Sequence, residues 1–147
     1  MDTKDIMLRI IGRQISGEAE VSEDQMEFVT EGKFYEDDDS IYLVYDESEF
    51  SGMEGCTTSL KITGNKVNMR RFGEDMHFDT EMKFEQGKRF KSLYDTPYGA
   101  VEMEILTNSI NNQIEKKEVK GTINIDYHIS LKGLSEGRSI LDIEIMN

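Results

Sequence analysis

Arg71, Glu47, Tyr45, Tyr127 and Thr107 are the residues whose types and places could do chemistry here. A guanidinium beside a carboxylate can form a bidentate pair or hold an anion. Phenols and hydroxyls can donate to whatever it holds. In "KVNMRRF", Val67 and Met69 share one parity and Arg71 follows on it. In "IYLVYDESE", Ile41, Leu43 and Tyr45 lead to Glu47. Tyr127 lies between Ile125 and Ile129, and Thr30 and Thr107 also fall on apolar parities. In a strand, equal parity means equal face, and the apolar face is the inward one. The pattern therefore predicts a small polar cluster inside one end of a β-structure; Arg71 continues the apolar parity, and the sequence leaves open which of Arg70 and Arg71 points inward.

Three readings of Arg71 stand side by side. It snorkels to water at a strand end and pairs on the rim; or it forms a buried pair with Glu47, since a lone buried guanidinium is very costly; or it reads the anionic group of a ligand. Tyr98, in "TPYG" (96–99), belongs to the third reading, as a residue of a loop at the mouth that faces a ligand. The plainer reading of "TPYG" is a corner, because Pro97 cannot donate to a ladder and Gly99 permits a bulge.

Other chemistry finds little support. His77 and His128 fall on outward parities, with no second histidine or cysteine at ligand spacing, so neither haem nor a metal is expected. Asp37–Asp39 lacks the EF-hand pattern and reads as a hairpin turn. Cys56 has no evident base, and neither a nucleophile elbow nor a phosphate-binding glycine motif is present. No catalytic residue and no cofactor is assigned, and an enzyme ranks last among the functions considered.

The elements that must position these residues are strands. "QMEFVTEGKFYE" places Met26, Phe28, Thr30 and Phe34 against Glu27, Glu31 and Lys33. "VEMEILT" places Val101, Met103, Ile105 and Thr107 against Glu102 and Glu104, and "TINIDYHISL" alternates over ten residues. Such persistent period-two patterning means half-buried antiparallel strands. "EDDDS", "TGNK", "EQGK" and "KGLSEG" are the turns between them. The one long break is 108–120, expected as a long loop or a single helical turn. Nine or ten short strands in one 147-residue domain predict an all-β fold, a single antiparallel meander closing into a barrel. The methionines on core parities, Met26, Met69 and Met103, read as core filling.

Lys+Arg 17 against Asp+Glu 30 gives a net charge of −13. That field repels phosphate backbones and anionic lipid, so neither nucleic acid nor a membrane surface is expected as a partner. One cysteine allows no intrachain disulfide, the first residues do not read as a signal peptide, and no stretch is long and apolar enough to span a bilayer. Together these point to the cytoplasm.

Five segments in order, "YLVYDESE" (42–49), "TSLKI" (58–62), "MRRFG" (69–73), "YDTPYGAVEMEILT" (94–107) and "INIDY" (123–127), carry a resemblance. The chain resembles the YwiB-like family of small bacterial proteins from about residue 5 onward. The resemblance implies an eight-stranded, lipocalin-like (calycin-like) barrel in a bacterial cytosol, within a count of eight to ten strands. It implies no activity, substrate or catalytic residue.

Two functions lead. One is a cytosolic barrel binding a small, partly apolar or anionic ligand, with Arg71, Glu47, Tyr45, Tyr127, Thr107 and Tyr98 as its contacts. The other is an acidic interaction module with a filled barrel, docking Glu102, Glu104 and Asp126 on a basic protein. Large inward residues such as Phe28, Phe34 and Met103 favour filling; the inward polar groups favour a ligand.

Overall fold

The computed structural model describes residues 3–16, 21–47, 55–73, 79–96 and 99–146. Among these run ten antiparallel strands: β1 (Lys4–Ser16), β2 (Val21–Asp37), β3 (Ser40–Asp46), β4 (Cys56–Thr63), β5 (Lys66–Gly73), β6 (Thr80–Glu85), β7 (Arg89–Thr96), β8 (Gly99–Glu115), β9 (Lys120–Leu131) and β10 (Ser135–Met146). They form a meander, and the last strand returns to pair with the first, Leu8 against Ile145 and Ile10 against Ile143. The ring is nearly closed: β6 and β7 are the ends of the sheet order and share no ladder. Ten strands lie within the expected eight to ten.

The strands form where alternation demands an inside and an outside. Thr80, Met82 and Phe84 of β6 are buried, while Glu81, Lys83 and Glu85 are not. Two-residue turns at Asp38–Asp39 and Gly64–Asn65 fix the registers Asp37↔Ser40 and Thr63↔Lys66. Asp38 adopts φ 53°, the left-handed conformation that such hairpins need.

Strands β2–β3, β4–β5, β6–β7 and β8–β9 turn at one end of the barrel, here called lower; β1, β3, β5, β7 and β9 run out at the upper end. Apolar side chains fill most of the lower and middle barrel. Leu8, Leu43, Leu60, Phe34, Phe84, Ile105 and Ile125 are sealed from solvent there. Each such side chain contributes roughly 1.5–3 kcal/mol through burial.

Three expectations are corrected. Residues 108–115 are neither loop nor helical turn: β8 continues as strand to Glu115 through a bulge between Thr107 and Ser109, and only 116–119 turn. The far half of β8 crosses the lower end, where Asn112 Nδ2 donates to Gly64 O at 2.7 Å and Lys116 Nζ to Asp39 O at 3.4 Å. Buried Ile110 and Val119 plug that end. Met26 holds the expected parity yet is 38% exposed, because the long β1–β2 hairpin carries it away from the packed core. Thr30, on the same parity, is only half-buried, and its hydroxyl turns back to Glu31 O.

Candidate functional site: a polar cluster in the upper barrel

Register builds the site. Gly32 is opposite Tyr45, Tyr45 opposite Thr58, Thr58 opposite Arg71 and Arg71 opposite Thr80, so one row crosses five strands on the inner wall. Gly32 leaves the row open for Leu8, whose Cδ1 lies 2.9 Å from where a Cβ at residue 32 would stand. Thr58 is sealed, and Tyr45 and Thr80 are buried.

Glu47 lies just past the end of β3. Its N–H donates to Cys56 O at 2.8 Å, which continues the β3–β4 pairing by one bond and turns the carboxylate inward. The carboxylate is 2% exposed, and Oε1 accepts the Thr58 hydroxyl at 2.6 Å. Arg71 Nε stands 3.7 Å from the same oxygen. That is charge pairing without a hydrogen bond, and Nε is buried with no acceptor among the described residues. The Arg71 side chain keeps 20% of its surface in solvent. Arg70 points the other way and donates to Asp79 on the outer wall at 2.9 Å.

The facing wall brings a second polar row. Thr107 is opposite Tyr127, and Tyr127 opposite Ser139. Tyr127 meets Phe84 edge-on, 4.9 Å between ring centroids. Burial raises the phenol pKa of Tyr127 above its ordinary value, while the Arg71 charge and the Ser139 hydroxyl oppose the rise. Burial raises Tyr45 in the same way, and the Glu47 charge adds to it while Arg71 opposes it. Both phenols are therefore protonated donors at neutral pH. The Thr107 hydroxyl is buried with no partner among the described residues, and its main chain is fixed at the β8 bulge by Gly87 N–H and Lys88 C=O.

Of the six residues proposed from sequence, the structure gathers Arg71, Glu47, Tyr45 and Tyr127 into one electrostatically linked group. Thr107 adjoins Tyr127 in register, its hydroxyl without a partner among the described residues, and Tyr98 lies outside the described residues. Thr58, Thr80 and Ser139 complete the rows and were not chosen from sequence. Thr58 was within reach, because a two-residue Gly64–Asn65 turn sets it opposite Arg71.

The cluster couples one cation, one anion and several hydroxyl donors, and it holds an unused donor at Arg71 Nε. Among the described residues no group of three or more His, Cys, Asp or Glu side chains could hold a metal. An open groove of about 680 Å³ is lined by Met7, Lys33, Val44 and Met146 together with Gly32 and Tyr45 of the polar row, and its lining includes neither Arg71 nor Glu47.

In fold, the chain is similar to the crystal structure of the ywiB protein from Bacillus subtilis, with a TM-score of 0.71, 20% identity, and coverage of 97% of this chain and 94% of that one. No curated protein matches it. Residues 9–143 match the family described as domain of unknown function DUF1934, and the chain belongs to that family.

Proposed function

We propose that this protein is a cytosolic binding barrel for a small molecule with an acceptor-bearing head and an apolar body. The head faces Arg71 from the upper end. One observation carries the reading: a guanidinium inside the barrel keeps one-fifth of its side-chain surface in solvent and a buried Nε–H without an acceptor. A buried donor left unmade typically costs about 1–3 kcal/mol, which a carboxylate, phosphate or carbonyl oxygen would recover. Tyr45 and Tyr127 supply apolar rings with protonated hydroxyls beside that position. An enzymatic role finds no nucleophile and base placed together among these residues.

The acidic-docking alternative is weakened by the outer wall itself. Glu104 is paired with Arg89 at 2.6 Å, Glu102 with Lys132 at 3.2 Å and Asp126 with Arg138 through two contacts of 2.9 and 2.5 Å. Carboxylates already matched within the chain leave less for a basic partner.

Native mass spectrometry of freshly purified protein, beside the same sample denatured, tests the proposal. The expected result is extra mass that vanishes on denaturing and is absent from Arg71→Met. A bare chain mass, together with an unchanged melting midpoint across millimolar small carboxylates and phosphates, would overturn it.

A further inference from the structure

The charge of Arg71 is already answered inside the barrel. Glu47 Oε1 stands 3.7 Å from its Nε, and the carboxylate is almost sealed from solvent. Opposite charges this close cancel most of each other's field at a third group. The Tyr45 phenol feels these same two charges, with opposite effects. The chain as a whole carries −13, a field that works against any approaching anion.

What the pair lacks is a hydrogen-bond acceptor. Arg71 Nε–H is buried with no acceptor among the described residues. On the facing wall, the buried Thr107 hydroxyl is likewise without a partner among them. Thr107 is the cross-strand neighbour of Tyr127, whose phenol feels the Arg71 charge. An N–H and a hydroxyl are both satisfied by an uncharged oxygen. A carboxylate or phosphate could make the same bonds, but it would set a second negative charge beside Glu47, with one cation between the two. A buried charge without its own partner is the costly arrangement. Glu47 is held in place, because its N–H donates to Cys56 O at 2.8 Å and its Oε1 accepts the Thr58 hydroxyl at 2.6 Å. A carbonyl oxygen takes the hydrogen bond and adds no charge.

On the footing that the barrel binds a small molecule at Arg71, we propose that Glu47 sets its specificity: by neutralising Arg71 it selects an uncharged carbonyl head on an apolar body over a carboxylate or phosphate. A fixed like charge that penalises the wrong ligand is a common device of specificity.

The test is NMR titration of the full chain, at neutral pH and low chloride, with hexanamide, hexanoate and hexyl phosphate, which share one apolar tail. Hexanamide should shift the Arg71 Nε–H signal and bind at least about fivefold more tightly than either anion. Glu47→Gln keeps an oxygen for the Thr58 hydroxyl and removes the charge. Hexanoate should then gain about tenfold or more while hexanamide changes by less than about threefold, so that the order reverses. A Glu47 that merely held the fold together would weaken all three alike. If Glu47→Gln does not fold, the order of affinities in the wild type decides alone. Anions that bind the wild type as tightly as hexanamide, or an unchanged order in Glu47→Gln, would overturn selection by Glu47 and leave the binding barrel standing. No shift at Arg71 with any of the three at tens of millimolar would overturn both.

Discussion

Arg71 and Glu47 are coupled by charge and not by a hydrogen bond: Nε stands 3.7 Å from Oε1, and that oxygen takes the Thr58 hydroxyl at 2.6 Å instead. The carboxylate is almost wholly out of solvent, whereas the guanidinium still reaches it. The two partners therefore do not depend on each other equally. Glu47 needs Arg71 to offset its burial, while Arg71 has water as a second partner.

That asymmetry sets the first prediction. Arg71→Met should destabilise the fold by about 3 kcal/mol, the lower end of the range for breaking a buried pair, because Arg71 is partly solvated. Glu47→Leu should cost less, mainly the lost Thr58 acceptor, at about 1 kcal/mol. The double variant should recover much of the Arg71→Met loss, since no carboxylate is then stranded. Urea unfolding of the four proteins in the cycle measures the coupling. Single variants that simply add would show that the two charges do not act as a pair.

Tyr45 makes stability fall on the alkaline side. Its phenol is raised above the ordinary value of 10.0, first by burial and then by the Glu47 charge. The folded chain thus keeps a proton that the unfolded chain releases above about pH 10. The contribution is complete below that pH and is lost as pH climbs toward the folded value. Urea midpoints of the wild type should decline above about pH 10, and those of Tyr45→Phe should decline less steeply. Parallel slopes in the two proteins would remove Tyr45 from the alkaline transition.

Most of the wall was legible because each strand declares its inner face by alternation, and the Gly64–Asn65 turn fixes Thr58 opposite Arg71 by counting. Three features were hidden, each for a physical reason. The β8 bulge switches parity in mid-strand, from Met103, Ile105 and Thr107 to Ile110, so a continuous strand reads as a break. Met26 shows that parity reports a face and not a height along the barrel, and height follows from registers that cross the whole ring. The missing ladder between β6 and β7 was hidden because "EQGK" has the composition of an ordinary hairpin, and only the distant Thr107 draws its turn away. Inward chemistry could be listed from sequence, but the coupling of Tyr127 on one wall to Arg71 on the other depends on how the barrel closes.

Closure of the lower end rests on Gly121, and this gives the last prediction. Gly121 has φ 118°, and a Cβ there would lie 2.1 Å from Gln113 O, a backbone atom that cannot swing away. Just before it, Val119 holds φ 53° with its side chain buried in the plug. The β8–β9 turn thus combines a left-handed backbone with a main-chain approach that only glycine permits. Gly121→Ala should cost at least about 2 kcal/mol, from strain plus displacement of β8. Gly133→Ala is the control: its φ is 81°, but no atom lies within 4 Å, so strain alone should cost about 1 kcal/mol. Thermal and urea unfolding of the two variants separate the terms. A Gly121→Ala loss no larger than that of Gly133→Ala would mean that β8 yields easily at Gln113, and that the plug formed by Ile110 and Val119 is not held by this turn. A loss in the expected range would mean that the far half of β8 is held across the lower end by the β8–β9 turn.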